Sequence, residues 1–410
     1  MQNRKVTYRL YPNTEQAEHL SDMLALHQRV YNAALEDRIR FYQGEKKSLS
    51  FADQCKVLTQ WRHKYKELAS LNAQSLQVTL KRIDLAFQAF FRRIKNNEKP
   101  GFPRFKSLQR YPGWGYKTHG DGWRLFTGEK GKHGRLRLSG IGMIAMRGKA
   151  RDIGEPKTGE ILHKSGKWYI SVTIECHPTR TSGIKAIALD WGVEKFLTTH
   201  DSRGETKEIE NPRYVKSALK KLKILQQSVS RKTNKQSRHR KKAIKSLAKL
   251  HSKLANKRKD FHHKMAAKLV KENGLIAVET LSIKEMTKSG GARKKGLNRE
   301  ILSTAPAQFH QILKSKAEEA GVIWVEIPTR IVKPSQTCYR CKIQKKKMLS
   351  ERWHSCPCGA SCDRDENSAR VQLDYALAKV SGQELAEVGS RRCFATLNHE
   401  THAISLDWRE

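Results

Sequence analysis

A chain of 410 residues with 38% apolar content is long enough for two or three domains with sizeable cores, which excludes a mainly disordered protein. Its 81 Lys and Arg stand against 40 Asp and Glu, and the resulting formal charge of +41 is self-repelling unless a polyanion neutralises it, so nucleic acid is the expected partner. No stretch approaches the ~18 consecutive apolar residues of a membrane span, the amino terminus does not read as a signal sequence, and Cys55, Cys176 and Cys393 are too scattered for a disulfide framework, so a reducing cytoplasm is expected.

Residues 4–11 alternate Val6, Tyr8 and Leu10 with Lys5, Thr7 and Arg9, the two-residue period of a half-buried strand, which Pro12 ends. Asn13 and Gln16 read as a capping pair opening a helix to about residue 43, with Leu20, Leu24, Val30 and Leu35 inward. Helices are also expected over about 51–67 and 72–97. The second of these turns Leu76, Leu80, Ile83, Phe87, Phe90 and Phe91 inward and leaves Gln74, Gln77, Lys81 and Arg82 as candidates for contact with nucleic acid. At Pro100 the run KPGFPRFKSLQRYPGWGYK stops the helix pattern and adds Arg104 and Lys106 to those candidates. Short strands follow at Arg135–Leu138 and Gly140–Met146, then a hairpin turning at Ser165 and Gly166 and ending in Trp168–Glu175. A small β-barrel accounts for them, with residues 4–11 as its missing edge strand, and its interleaved basic and aromatic residues suit phosphate contact with base stacking.

A second module begins near Gly183. The apolar strand Ile184–Leu189 runs straight into Asp190, and strands at about Glu194–Thr199 and Glu205–Ile209 complete a meander. Residues 213–271 then hold 21 Lys and Arg and a single acid, Asp260. Ile244, Leu247, Leu254, Phe261, Met265 and Leu269 keep a helical period through that segment, so it reads as a pair of amphipathic helices whose basic face, with Lys241 and Lys245, suits a phosphate backbone. A further strand, Leu275–Val278, delivers Glu279, and residues 287–299 read as a mobile Gly/Lys-rich loop. A helix at about 305–320 and a strand at Val322–Ile327 lead to a cysteine cluster.

Cys338 and Cys341, fourteen residues, then Cys356 and Cys358 have the spacing of a tetrahedral zinc site, with His354 and Cys362 near enough to substitute for one ligand. Asp363, Asp365, Glu366 and Asn367 follow, just before the helical pattern Ala369, Leu373, Ala376, Leu377. Alone, these acids suit a solvated first turn, because carboxylates are favoured at the positive end of a helix. With Asp190 and Glu279 at strand ends and Asp365 at a helix start, a fold that joins the three would make a two-metal phosphodiesterase site, its ions ~3.5–4 Å apart. Magnesium suits such an all-oxygen set. Beyond residue 381 the chain is irregular and carries no assigned function.

The ordered series IALDWG, IAVETL, paired cysteines and DRDENSA resembles the split RuvC nuclease of the TnpB family, insertion-sequence proteins related to type V CRISPR effectors. VTYRLYPNTEQ, RVYNAAL and GFPRFKS extend the resemblance over roughly residues 4–380. It implies a multidomain α+β fold: a wedge-like β-barrel from 1–12 and 98–180, a helical recognition lobe over 13–97, and an RNase H-like (RuvC) α/β nuclease over 181–330 and 363–380. Within the nuclease it places a basic helical insertion at 213–272 and a zinc ribbon at 331–362, leaving a flexible tail at 381–410.

The same resemblance implies an RNA-guided DNA endonuclease that takes its guide RNA from the transposon end, checks a short motif beside the target and cuts both strands of double-stranded DNA at one site. Carried over, Asp190, Glu279 and Asp365 are the catalytic acids holding two Mg2+, Asp363 is a supporting neighbour, and Cys338, Cys341, Cys356 and Cys358 hold one structural Zn2+. Two departures stand out: the second cysteine pair is one residue tight, and Lys342 stands where the family usually has Gly. An RNA-guided repressor without cleavage would lack one of the acids, and all are present; a transposase or its accessory would need a tyrosine nucleophile beside a His pair, which is not evident. The expected setting is the cytoplasm, on the nucleoid when DNA is bound, with no protein oligomer implied.

Overall fold

A computed structural model describes residues 2–150, 152–177, 180–348 and 351–382; Cys393 and residues 383–410 of the expected tail lie outside the described residues. The chain divides into two compact units, Met1–Thr179 and Arg180–Glu410.

The first unit opens with strand β1 (Gln2–Tyr11) and four helices, α1 (Thr14–Glu45), α2 (Phe51–Lys64), α3 (Lys66–Ala69) and α4 (Ala73–Lys95). Both bonds of the expected cap on α1 are present: Gln16 N–H donates to Asn13 Oδ1 (2.8 Å) and Asn13 N–H to Gln16 Oε1 (3.2 Å). Six more strands follow: β2 (Gly113–Tyr116), β3 (Trp123–Thr127), β4 (Lys132–Leu138), β5 (Gly142–Lys149), β6 (Glu155–Lys164) and β7 (Lys167–Cys176). They form one sheet in the order β2-β6-β7-β1-β5-β4-β3.

β1 is therefore the middle strand and not the edge expected from sequence. Residues 2–9 pair with β7 and residues 9–11 with β5. Alternation reports which face of a strand is buried and is silent on which backbone edges are paired, which is why the position was not legible. The sheet curls strongly, bringing Tyr116 of β2 and Trp123 of β3, from its two ends, to a ring separation of 6.4 Å. Trp123 also packs on Gly159 so closely that a Cβ there would sit 3.0 Å from the indole. The core of this unit is shared: Leu20, Leu24, Leu76 and Leu80 from the helices join Leu136, Ile144 and Ile170 from the sheet.

In the second unit β8 (Lys185–Trp191), β9 (Lys195–Asp201) and β10 (Thr206–Glu210) form the expected antiparallel meander. Helices α5 (Tyr214–Ser217), α6 (Leu219–Ser230) and α7 (Arg238–Glu272) follow, then β11 (Asn273–Glu279), α8 (Ile283–Met286), α9 (Ala292–Thr304), α10 (Pro306–Glu319), β12 (Ile323–Ile327) and α11 (Thr329–Val332). The short ribbon β13 (Trp353–Ser355) and β14 (Ser361–Asp363) leads into α12 (Arg364–Val380). The five-stranded sheet runs β10-β9-β8-β11-β12, with β11 parallel to both β8 and β12.

Alternation sorts this sheet's faces. Ile187, Leu189, Ile276 and Val278 face Leu269 of α7 and Phe309 and Leu313 of α10. Ala186, Ala188 and Ala277 face α12, where they meet Val371, Leu373 and Ala376. Alanine on that face leaves room for a helix to approach the strands closely, and α12 supplies the third acid. No helix among the described residues is long and apolar enough to cross a membrane.

Residues 287–299, expected to be a mobile loop, are largely helical in α9. Ile301 is buried against the second core, Lys294 Nζ donates to the Met286 carbonyl (2.6 Å), and Asn298 Nδ2 donates to the Thr287 (3.1 Å) and Lys288 (3.0 Å) carbonyls. Tertiary anchoring of this kind overrides the low helix propensity contributed by its glycines.

Candidate active site and metal centre

Asp190 and Glu279 reach one place because two adjacent parallel strands deliver them. The register pairs Ala188 with Ala277 and Leu189 with Val278, so the next residues on each strand are the two acids, both on the α12 face. Carboxyl ends of parallel strands are where open α/β sheets place their sites. Asp365 begins α12 one turn before Ser368 and two turns before Gln372, so the three share a helix face.

Two neutral donors tie the acids together. Ser368 Oγ donates to Asp190 Oδ1 (2.7 Å), and Gln372 Nε2 donates both to Asp190 Oδ1 (3.1 Å) and to Glu279 Oε1 (3.1 Å). Ser368 and Gln372 are buried. Sequence reading missed both, although their spacing of three and seven residues from Asp365 was a usable signal. Asp363 caps α12, its Oδ1 accepting from the Asp365 N–H (2.8 Å) and the Glu366 N–H (3.4 Å), and its other oxygen lies 3.4 Å from Lys195 Nζ. It fixes where Asp365 starts.

Among the described residues, no cationic side chain forms an ion pair with Asp190 or Glu279. Burial first, then repulsion from Glu279 and Asp365, pushes the Asp190 carboxyl well above the ordinary carboxylate range. Burial, with repulsion from Asp365, raises Glu279 to about 7. An acid whose folded-state affinity for a proton is raised stabilises the fold fully below its unfolded value and loses that contribution as pH rises through the folded one. The melting temperature of the magnesium-free protein is therefore expected to fall as pH rises from 4.5 to about 7, and Glu279→Gln to flatten that fall. A calorimetric pH series checks it; equal slopes in both proteins would contradict it.

The cysteine cluster closes as a set of four. Cys338, Cys341, Cys356 and Cys358 bring their sulfurs within 4.8 Å of one another, with Cys338 to Cys358 at 3.7 Å and Cys341 to Cys356 at 3.5 Å. Ligand sulfurs at the corners of a tetrahedral zinc site are ~3.8 Å apart for ~2.3 Å bonds, so the donor set fits the metal. The tight second pair is accommodated, and the Ala360 N–H lowers the Cys358 thiol to about 7. Cys362 sits instead in β14, opposite His354 of β13, outside the four. Lys342 takes the left-handed conformation (φ 61°) that favours Gly, and its ammonium is held by the Tyr339 carbonyl (2.6 Å) and by Asp374. The cluster is tied to the acids through buried Asn367, whose Nδ2 donates to the Pro334 (3.2 Å) and Thr337 (2.8 Å) carbonyls and whose Oδ1 accepts from the Tyr339 N–H (3.1 Å).

The nucleic-acid candidates are distributed over both units. In the first, Gln74 is half-buried, Gln77 accepts from Lys117 Nζ (2.9 Å), Lys81 pairs with Asp84 (2.7 Å), and Arg82 reaches the Gly113 carbonyl and Glu160 (3.2 Å). Arg104 is exposed, while Lys106 is fixed by Gln28 (2.5 Å) and Asn32 (3.0 Å) and lies 4.7 Å from the Tyr31 ring centre. In the second, Lys241 and Lys245 are exposed on α7.

Three comparisons bear on this arrangement. Residues 169–290 match the family described as a probable transposase, OrfB of IS605 elements, residues 307–371 match a Cas12f1-like TNB domain, and residues 1–47 match a helix-turn-helix domain. The chain is 32% identical, over 92% of its length and 90% of the relative's, to a Streptomyces pristinaespiralis protein named as a candidate RNA-guided DNA endonuclease. It is 27% identical, over 88% of its own length and 89% of the other's, to InsQ of Escherichia coli K12, named in the same way. A solved structure of the mini RNA-guided endonuclease CRISPR-Cas phi3 shares the fold at a TM-score of 0.53 and 9% identity, covering 92% of each chain.

Proposed function

The chain belongs to the OrfB/TnpB family of insertion-sequence proteins, and from that premise we propose that it is an RNA-guided DNA endonuclease cutting at Asp190, Glu279 and Asp365. One observation carries the reading: acids far apart in sequence meet around Gln372 Nε2, 3.1 Å from both Asp190 and Glu279, with Asp365 near enough to raise the proton affinity of both and, among the described residues, no ion pair to either. Divalent cations relieve that repulsion, and an all-oxygen donor set suits Mg2+. Bound there, two such ions would activate water and stabilise the leaving oxygen of a phosphodiester. The protein's part is to hold three carboxylates on two strands and one helix. Gln372 and Ser368 keep Asp190 and Glu279 in fixed orientations, and the Asp363 cap sets the position of Asp365.

In this reading the curled sheet is the wedge-like barrel, α1–α4 the recognition lobe, the five-stranded sheet with α12 the RuvC-like nuclease, and residues 331–362 its zinc ribbon. The exposed basic stretch of α7, with Lys241 and Lys245, lies along RNA or the RNA–DNA heteroduplex, with sequence read by base pairing. The protein works in the cytoplasm, on the nucleoid when engaged with DNA.

Gln372→Leu removes the amide shared by two acids. It is expected to raise the Mg2+ concentration needed for half-maximal cutting by about 10–100-fold, the usual effect of losing a group that orients metal ligands. A magnesium titration of the cutting rate measures it, and an unchanged titration would remove Gln372 from this role.

The function itself is tested by sequencing RNA that co-purifies with the protein and presenting the complex with matched plasmids of randomised flank. Selective loss of plasmids sharing one flank is expected. Absence of bound RNA, or no flank-dependent loss, would overturn it.

A further inference from the structure

One cavity of the second unit lies on the α7 and α10 side of its sheet, away from the face that carries the acids. It opens where the chain leaves β10, at Arg213 and Tyr214, and its other walls are Arg258 and His262 of α7 with Ser303 and Thr304 at the end of α9. About 240 Å3 of space lies between these residues, part of it open to solvent. His262 is fully buried, stacked on Phe196 with ring centres 5.5 Å apart and edge-on to Phe309 at 5.5 Å, yet neither ring nitrogen has a hydrogen-bond partner. One turn earlier on the same helix face, Arg258 Nη1 donates to the Ser303 carbonyl (3.0 Å) while its buried Nε has no partner. Buried polar groups are normally paired, because leaving them unpaired costs stability. Two such groups on one wall of a cavity mark the place of a ligand.

Charge says which kind. No Asp or Glu lines the cavity, and Lys257 Nζ adds a further cation at its rim, 5.9 Å from the centre of the Tyr214 ring. The acid nearest in sequence, Asp260, is exposed and paired with Lys264 (2.8 Å). Burial lowers the proton affinity of Arg258, and burial first, then repulsion from Arg258, lowers His262 to about 4 against a weak opposing effect of the Thr304 backbone. At neutral pH the imidazole is therefore an uncharged N–H donor beside a guanidinium. The backbone is strained on both sides of the opening: Arg213 holds φ 44° and ψ 39°, and Ala305, next to Thr304, holds φ 48° and ψ 60°. Non-glycine residues in this left-handed region cost stability and cluster at ligand sites.

We propose that this cavity binds a phosphate dianion, free or as the end group of a phosphomonoester, with Arg213 and Arg258 supplying the charge and His262 an N–H. A backbone phosphodiester carries one charge fewer and brings a sugar on either side, so it does not match donors that converge on one half-enclosed spot. The bound anion would join the start of the basic segment, α7 and the end of α9 at a single point. The site shares no residue with the nuclease acids or the cysteine cluster, and it stands whether or not the chain cuts DNA.

The test uses full-length protein freed of RNA, in magnesium-free buffer held at constant ionic strength with chloride. Equilibrium dialysis against labelled inorganic phosphate is expected to show one saturable site per chain. Arg258→Gln is expected to weaken it by about tenfold or more, the loss of a charged hydrogen-bond donor. Lys249→Gln, at an exposed lysine of the same helix, is expected to stay within about twofold of wild type. Arg213→Gly separates binding from folding, because glycine accepts the left-handed backbone: its phosphate-free melting temperature is expected to equal or exceed that of the wild type while phosphate affinity falls about threefold. Displacement of the label by a 5′-phosphorylated dinucleotide makes a phosphomonoester terminus an occupant, and no displacement makes the free ion the occupant, both within the proposal. Equal displacement by the 5′-hydroxyl dinucleotide would overturn it. So would the absence of a saturable site, or equal weakening by Arg258→Gln and Lys249→Gln. Target cutting is not read in this assay, so failure here and failure of the nuclease reading are separate outcomes.

Discussion

Asp190→Ala is expected to slow cutting of a matched duplex by at least about a thousandfold, about 4 kcal/mol of barrier, while target binding stays within a few-fold of wild type. Asp190 is the acid on which the site converges: it accepts from Ser368 and Gln372 and feels the charge of both Glu279 and Asp365. Removing it takes away oxygen ligands that Glu279 and Asp365 cannot replace from their own positions. The basic stretch of α7 proposed to lie along nucleic acid is made of other residues, so binding has no reason to fall. Asp190→Asn is the stricter variant, because its amide still offers an oxygen to Ser368 while losing the charge that holds a cation. Gel cleavage and filter binding on the same preparations give both readouts, and equal cutting by either variant would remove Asp190 from the chemistry.

Cys341→Ser is expected to reduce zinc from one per chain to a small fraction and to lower stability by about 3 kcal/mol or more, roughly 10 °C in melting midpoint. Three sulfurs remain, but the fourth corner of the set is lost. The effect reaches the acids through Asn367, which grips the Pro334 and Thr337 carbonyls and stands two residues after Asp365. Loosening that grip frees the start of α12, so cutting is expected to fall together with zinc content. Cys362→Ser is the matched control: it lies outside the four and should keep full zinc stoichiometry by elemental analysis. Zinc loss in Cys362→Ser with retention in Cys341→Ser would reverse the assignment.

Much of this arrangement was legible in the sequence because it is local. Apolar runs ending in an acid pointed to Asp190 and Glu279, a helix-start pattern to Asp365, and cysteine spacing to the four sulfurs that the fold brings together. The tight second pair left His354 and Cys362 as alternatives, which only the ribbon pairing of His354 with Cys362 resolves. What was not legible depends on pairing partners. β1 alternates identically whether at an edge or in the middle, and Arg9 reads as an ordinary outward residue until register sets Arg147 opposite it. Gln372 looks like an exposed helix position until the strands carrying Asp190 and Glu279 are brought beneath it. The stretch 287–299 misled because its glycines and lysines hid anchors, Lys294 and Asn298, that act only through backbone carbonyls elsewhere in the fold.

One guide-programmed site is expected to cut DNA. Its most direct measurement loads the purified protein with its own co-purified RNA scaffold carrying either a matched or a scrambled guide segment, adds Mg2+, and follows one linear duplex target. Breakage of both strands at one position with the matched guide, and none with the scrambled guide or with Asp190→Ala, is the predicted result. Cutting that ignores the guide, or persists in Asp190→Ala, would contradict it.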